Sequence, residues 1–369
     1  MIITKVEAIP FHLPFDPSLH LKFAYRTSSG ADHVLIRVFT DEGYIGIAEA
    51  PARPEIYGET QGSIMAIIDK YLGPFIGGKN PFELEDIHSQ LDRIPHNYCA
   101  KAAIDIALHD IIAKFLNVPV HQLLGGKSRD SIPLSWMVGI NSTAKMVEEC
   151  RRFWEMGIRA FKIKAGLDFA GDLEKFKAIR QELGTDALLY IDANQGYKST
   201  KKAVRFIRQL EESGLAWVEE PFPVENKRDR LEASRAISVP MMGDESCMTP
   251  TSVAQELALG ALGIVLVKIA RTGFYKTKKI IYLCQEAGIP CMIGSQGDSS
   301  IGAAASAHVA VAFRNILFPA EVSYHLRMQG DLLKSPLSIC GGELVVPEGP
   351  GLGVEIDEDA LKSYGRIEK

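Results

Sequence analysis

No two of the six cysteines (Cys99, Cys150, Cys247, Cys284, Cys291, Cys340) form a CxxC pair. In a chain of 369 residues this scatter reads as reduced, mostly buried thiols of a cytoplasmic protein, not as a disulfide framework. Long hydrophobic runs are also missing. Leu257 to Val267 is free of charge but stays well below the ~18 apolar residues that span a bilayer. Met1 to Phe15 alternates apolar and polar residues like an opening strand and has no secretory core, so no membrane partner is expected. There is no basic stripe: the net charge is −5 with both signs mixed along the chain, which argues against a nucleic-acid partner. No HxH or HExxH motif offers a zinc site, and no glycine-rich phosphate loop follows an early strand. Gly349-Pro350-Gly351-Leu352-Gly353 lies too near the end of the chain for that role and reads as a turn.

What is present is the makings of two structural units, since the chain is long for a single core. Ile2–Ala8, His33–Phe39 and Tyr44–Glu49 read as strands, the last two joined by the turn Asp41-Glu42-Gly43. Ile104, Ala107, Leu108, Ile111, Ile112 and Phe115 recur at helical spacing and predict a helix that buries one face. Pro119 and Gly125-Gly126 then mark a boundary, giving an N-terminal α+β domain over residues 1–125. Beyond it, apolar runs alternate with amphipathic helical stretches. The runs are Leu134–Val138, Ala160–Ile163, Leu188–Ile191, Ala216–Val218, Val239–Met242, Ile264–Val267, Pro290–Ile293 and Ile316–Phe318. Eight βα units predict an α/β fold with a (β/α)8 barrel over 126–325. Glu343–Val346 and Gly353–Ile356 read as further strands, in a segment 326–369 expected to return to the N-terminal domain.

Polar residues stand where the barrel strands should end. Asp192, Glu219, Asp244 and Lys268 follow apolar runs at intervals of 27, 25 and 24 residues, about one βα unit each. The C-terminal strand ends are where this fold builds its sites. Each carboxylate alone could simply cap the next helix. Three brought together would repel unless a cation sat between them, and hard oxygen donors suit Mg²⁺, with Mn²⁺ able to use the same oxygens. Lys162 and Lys164 share one face of the second barrel strand and can both point into the mouth, with Lys268 opposite. Two ammonium groups side by side near a cation should have depressed pKa values, which suits a lysine to proton transfer at neutral pH. Such a set fits removal or delivery of a proton next to a carboxylate, through an enediolate.

Lys162-Ile-Lys164, Asp192-Ala-Asn194, Glu219-Glu220-Pro221, Gly243-Asp244-Glu245-Ser246 and Val267-Lys268-Ile269 together resemble the enolase superfamily, in its muconate-lactonizing-enzyme subgroup. The resemblance covers essentially the whole chain. It implies that the N-terminal domain caps the barrel and that Asp192, Glu219 and Asp244 bind Mg²⁺. Lys164 and Lys268 are then the opposed acid/base pair, with Lys162 the cation beside the substrate carboxylate. Asn194 and Glu245, inside the same motifs, would bind substrate or support the ligands. Ser295-Gln-Gly-Asp298-Ser-Ser-Ile301-Gly302 looks like the family's seventh-strand motif, with Asp298 where Glu is commoner. The resemblance also implies a homo-oligomer acting on a small-molecule carboxylate.

Narrower readings rest on fewer residues. Lys268 occupies the sixth-strand position, and no histidine stands after the seventh strand, which sets the chain apart from mandelate-racemase-like relatives. Dipeptide epimerases of the subgroup carry a DxD motif at the eighth strand, where this chain has Glu321-Val322-Ser323. A hydroxyl in the second place would hold a substrate ammonium less firmly. Two loops of the capping domain, about 19–29 and 50–59, should close the mouth; they bring Tyr25 and Arg26, and Arg53 and Tyr57. Arginine there could pair a second substrate carboxylate. Trp136 and Met137 are candidates to line the pocket, although core is the commoner fate of such residues. The expected activity is therefore cycloisomerisation of a dicarboxylate such as a muconate. Racemisation or epimerisation of an N-acylated amino acid or dipeptide is the alternative, and a non-catalytic binding barrel the third reading.

Overall fold

The computed structural model describes residues 1–22, 27–166 and 168–365, so Tyr25 and Arg26 lie outside the described residues. Strands β1 (Ile3–Pro14), β2 (Gly30–Thr40) and β3 (Ile45–Pro51) form an antiparallel sheet in that order. Helix α1 (Tyr98–Phe115) packs against β3 with Ile104, Ala107, Leu108 and Ile111, all fully buried. The sequence pattern predicts one buried face, but nearly the whole helix is inside, because the barrel covers its other side. Its two carboxylates act as staples. Asp105 accepts the amide hydrogens of Phe274 and Tyr275 from the barrel, and Asp110 accepts those of Ile47 and Leu352. A buried carboxylate holding backbone donors in this way satisfies both partners, which apolar residues there would leave unpaired.

The barrel contains seven parallel strands: β4 (Ser135–Val138), β5 (Ala160–Lys164), β6 (Leu188–Asp192), β7 (Leu215–Glu219), β8 (Met241–Gly243), β9 (Ile264–Val267) and β10 (Cys291–Ile293). The eighth run forms no strand. Residues 316–320 close the ring through two parallel bridges, Cys291 with Ile316 and Leu134 with Ala320. Pro319 ends this run after three residues and has no N–H to give a ladder, so only its two ends pair. Helices follow the strands: α2 (Thr143–Glu155), α3 (Phe169–Leu183), α4 (Thr200–Glu211), α5 (Lys227–Ala236), α6 (Pro250–Leu259), α7 (Ile269–Glu286) and α8 (Ser300–Ala312). Their starts are chemically marked: Asp168 caps α3 with its carboxylate, and Thr249 and Ser252 form a reciprocal capping box on α6.

Side-chain alternation divides the barrel interior by height. Tyr190, Trp217, Met242, Leu266 and Met292 fill the middle as a closed apolar cluster. Two residues further along four of those strand lines come Asp192, Glu219, Asp244 and Lys268, so a polar layer rests on an apolar floor. At the opposite end, Glu343–Val345 was expected to rejoin the capping domain, but pairs antiparallel with Ser131–Pro133 beneath the barrel. The last helix, α9 (Glu358–Tyr364), does lie against β1. Among the described residues no helix is long and apolar enough to cross a membrane.

Candidate active site

One cavity opens over the polar layer, its volume of about 710 Å³ including the open space at its mouth. It is lined from the barrel by Lys162, Lys164, Asn194, Asp244, Glu245, Lys268 and Glu321, and from the capping domain by Arg53, Glu55 and Ile56. Lys162 and Lys164 enter from β5 because residues i and i+2 share a face, while Phe161 and Ile163 face the helices and are fully buried.

The carboxylates and ammonium groups interlock. Lys164 Nζ donates to Asp192 Oδ2 at 2.5 Å and to Asn194 Oδ1 at 2.7 Å. Lys268 Nζ donates to Asp244 Oδ2 at 2.5 Å, and Arg271 Nη1 takes the other oxygen at 2.7 Å. Lys162 Nζ sits between Glu219 at 2.7 Å, Asp192 at 3.1 Å and Glu321 at 3.1 Å. Burial raises the carboxyl pKa values of Asp192 and Asp244, but Lys162 and Lys164 on one, and Lys268 and Arg271 on the other, hold both well below the usual range. Glu219 goes the other way: burial and the nearby Asp192 charge push it up. Without a cation among these carboxylates, Lys162 does not show the depressed pKa expected beside one. Burial lowers its pKa, yet Asp192, Glu219 and Glu321 outweigh that and raise it well above its ordinary value.

Asp192, Glu219 and Asp244 are all buried oxygen donors at successive strand ends, and Glu219 Oε2 has no hydrogen-bond partner. An unsatisfied buried carboxylate oxygen is costly, and this set fits a hard divalent cation. Among the described residues no three His, Cys, Asp or Glu are grouped as a metal site, and in this structure an ammonium group lies on each of the three carboxylates. Glu245 lies beside this set, accepts from Asn194 at 3.2 Å and leaves its other oxygen unpaired. Burial and the Asp244 and Asp192 charges push its pKa up to about 7.

Other expected residues fall elsewhere. Trp136 does not line the cavity: its ring stacks on Phe153 of α2, its Nε1 donates to Glu149 at 2.8 Å, and Arg327 lies over its other face. On β4 the inward positions are Ser135 and Met137, which do line it, and Trp136 takes the outward one. Asp298 is fully buried away from the cavity. It accepts the amide hydrogen of Gln296 at 3.2 Å and faces Glu49 of the capping domain. Glu321 accepts from Tyr190 at 2.9 Å as well as from Lys162, and Ser323 Oγ donates to the carbonyl of Ser135 at 2.6 Å.

Several residues of the site were not singled out from sequence. Arg271, one helical turn beyond Lys268, fixes Asp244. Glu220 accepts the amide hydrogens of Asp244 and Ser246 and the Ser246 hydroxyl. Both sit inside or beside motifs already recognised, and only their roles were hidden. Gln296 also lies inside a recognised motif without having been given a role, and Tyr324, at the start of a short 3-10 helix, had no signal. Asn194, Gln195 and Glu220 hold positive φ angles of 41°, 64° and 33°, so the backbone after two strand ends is strained at the site.

Family models match both domains. Residues 6–125 match the mandelate racemase/muconate lactonizing enzyme N-terminal domain, and residues 145–360 match the enolase C-terminal domain-like model. The chain belongs to the enolase superfamily, in its muconate-lactonizing subgroup. Muconate cycloisomerase 1 of Rhodococcus opacus is 34% identical over 94% of both chains. N-succinyl-L-Arg/Lys racemase of Bacillus cereus is 30% identical over 98% of this chain and 97% of its own. A muconate lactonizing enzyme from Mycobacterium smegmatis, solved with muconolactone, superposes with a TM-score of 0.95 at 37% identity over all of both chains. The chain is accordingly an isomerase of this superfamily, and the non-catalytic reading falls away.

Proposed function

We propose that this enolase-superfamily isomerase is a Mg²⁺-dependent cycloisomerase of a muconate-type dicarboxylate. The observation that carries the reading is the pair Lys164 and Lys268, which line one cavity from β5 and from the end of β9, with buried carboxylates beside each. In lactone formation a substrate carboxylate oxygen bonds to the far alkene carbon. The π electrons move toward the other carboxylate and leave an enediolate, and an ammonium group delivers a proton to the α carbon. Lys164 or Lys268 supplies that proton and the other faces the opposite side of the substrate. Lys162 stays charged among Asp192, Glu219 and Glu321, where it offers a fixed positive charge to the reacting carboxylate. Mg²⁺, or Mn²⁺, held by Asp192, Glu219 and Asp244 would supply charge stabilisation for the enediolate oxygens.

Glu321 and Ser323 favour this over dipeptide epimerisation. Both oxygens of Glu321 and the Ser323 hydroxyl are engaged by the protein, which leaves little there to receive a free α-ammonium. Racemisation of an N-acylated amino acid is the second reading, because opposed lysines also serve removal and return of a proton at one carbon. Incubation of the Mg²⁺-loaded protein with cis,cis-muconate tests the choice. Falling ultraviolet absorbance supports cycloisomerisation; no change, together with α-deuterium uptake by N-acyl amino acids in D₂O, overturns it.

A further inference from the structure

Tyr190 stands two residues before Asp192 on β6, so its side chain enters the same barrel interior one layer lower. It is fully buried, and its ring stacks on Trp217 with centroids 4.4 Å apart. A hydroxyl within an apolar floor needs partners, and this one has two. Tyr190 Oη donates to Glu321 Oε1 at 2.9 Å and lies 2.7 Å from Ser135 Oγ. A phenol has one hydrogen to give. With Glu321 taking it, the Ser135 hydroxyl is the donor in the second contact.

Glu321 takes support from this bond because its own run forms no strand. Its amide donates to the Ile293 carbonyl at 2.9 Å, and the nearest parallel bridge is that of Ala320 with Leu134. Above it, both Glu321 oxygens lie 3.1 Å from Lys162 Nζ. One line of contacts therefore runs from Ser135 through Tyr190 and Glu321 to Lys162, from the floor of the barrel to its polar layer. Lys162 also touches Glu219 at 2.7 Å and Asp192 at 3.1 Å. Those two belong to the set that fits a divalent cation, and Glu321 does not. An ammonium group and a cation on the same carboxylates compete, since each neutralises the same charge. Of the three carboxylates on Lys162, Glu321 is the one that a cation at that set leaves to it.

We infer that Tyr190 is a positioning residue: by fixing Glu321 it gives Lys162 a counter-charge of its own, so that Asp192 and Glu219 can hold Mg²⁺. This rests on the reading that Asp192, Glu219 and Asp244 bind the cation, and it adds the residue that lets metal and lysine share one site. Without the tyrosine hydroxyl Glu321 is held less firmly, Lys162 draws harder on the two metal carboxylates, and metal affinity falls. Groups that hold the neighbours of a metal site commonly carry roughly 10–100-fold in affinity.

Calorimetric titration with Mg²⁺ alone tests this on wild type, Tyr190→Phe, Glu321→Gln and the double variant, each checked for folding by thermal melt. Phenylalanine keeps the ring on Trp217 and removes only the hydroxyl. Tyr190→Phe and Glu321→Gln should each weaken Mg²⁺ binding by about tenfold. The double variant should bind no more weakly than Glu321→Gln, because the tyrosine acts through the glutamate. If Tyr190→Phe does not fold, Ser135→Ala takes its place, with Mg²⁺ binding weakened in the wild-type background and unchanged in Glu321→Gln. Wild-type affinity in the folded Tyr190→Phe, or a full further loss when it is added to Glu321→Gln, would overturn the role and leave the metal set standing. Failure of wild type to bind Mg²⁺ would overturn the metal reading and this role together.

Discussion

The two ends of the cavity differ in how their charges are balanced. Each of the three lysine ammonium groups has a carboxylate within 2.7 Å, supplied by another strand of the same barrel. Where the capping domain meets the barrel, Arg53 Nε donates to the Gln296 carbonyl at 2.6 Å, and Arg53 Nη2 and Gln296 Nε2 have no partner. The first end is built to hold and move protons whatever the rest of the substrate looks like. A cycloisomerase at 34% identity and a racemase at 30% both cover nearly the whole chain, so the shared fold does not by itself fix the substrate.

Disturbing the lysine end should have the largest effect. Chelation of divalent cations is expected to abolish turnover, with recovery on adding Mg²⁺, as followed by ultraviolet absorbance of muconate. Lys164→Met and Lys268→Met should each lower kcat by about 10³–10⁴-fold while adipate still binds, which would separate proton transfer from recognition. Trp136→Ala sharpens the contrast from outside both ends. Losing its stack on Phe153 should destabilise the fold by about 3–5 kcal/mol in thermal or denaturant melts and leave KM nearly unchanged.

A smaller effect concerns the contact between the capping domain and the barrel at Glu49. Glu49 accepts from Ser299 of the loop leading into α8, and burial with the Asp298 charge pushes its pKa up to about 8. Its folded pKa is above the unfolded value, so the folded state binds more protons between about 4.5 and 8. Stability from this group is therefore full below about 4.5 and declines as pH rises toward 8. Glu49→Gln should flatten that decline, measured as Tm against pH.

The same contrast separates what the sequence made legible from what it did not. Asp192, Glu219, Asp244, Lys162, Lys164 and Lys268 could be read because period-two alternation and regular βα spacing place strand ends without knowledge of tertiary contacts. Trp136 went wrong over a single step of that alternation: Leu134, Trp136 and Val138 form the face that packs under the helices, and Ser135 and Met137 the face inside. The pKa of Lys162 could not be anticipated, since it depends on three carboxylates from three other strands or loops converging on one ammonium. Arg53 was legible as a loop arginine, but its partner Gln296 lies 243 residues away, and only the docked domains bring the two together. The eighth strand was readable as an apolar run and still reduces to two bridges at its ends.

The most direct test of the central claim is turnover of cis,cis-muconate by the Mg²⁺-loaded protein in D₂O, with the lactone analysed by mass spectrometry and NMR. Proton delivery by the opposed lysines predicts one deuterium at the α carbon of the product, and no lactone with Lys164→Met or Lys268→Met. Lactone formed at an undiminished rate by both variants would contradict it.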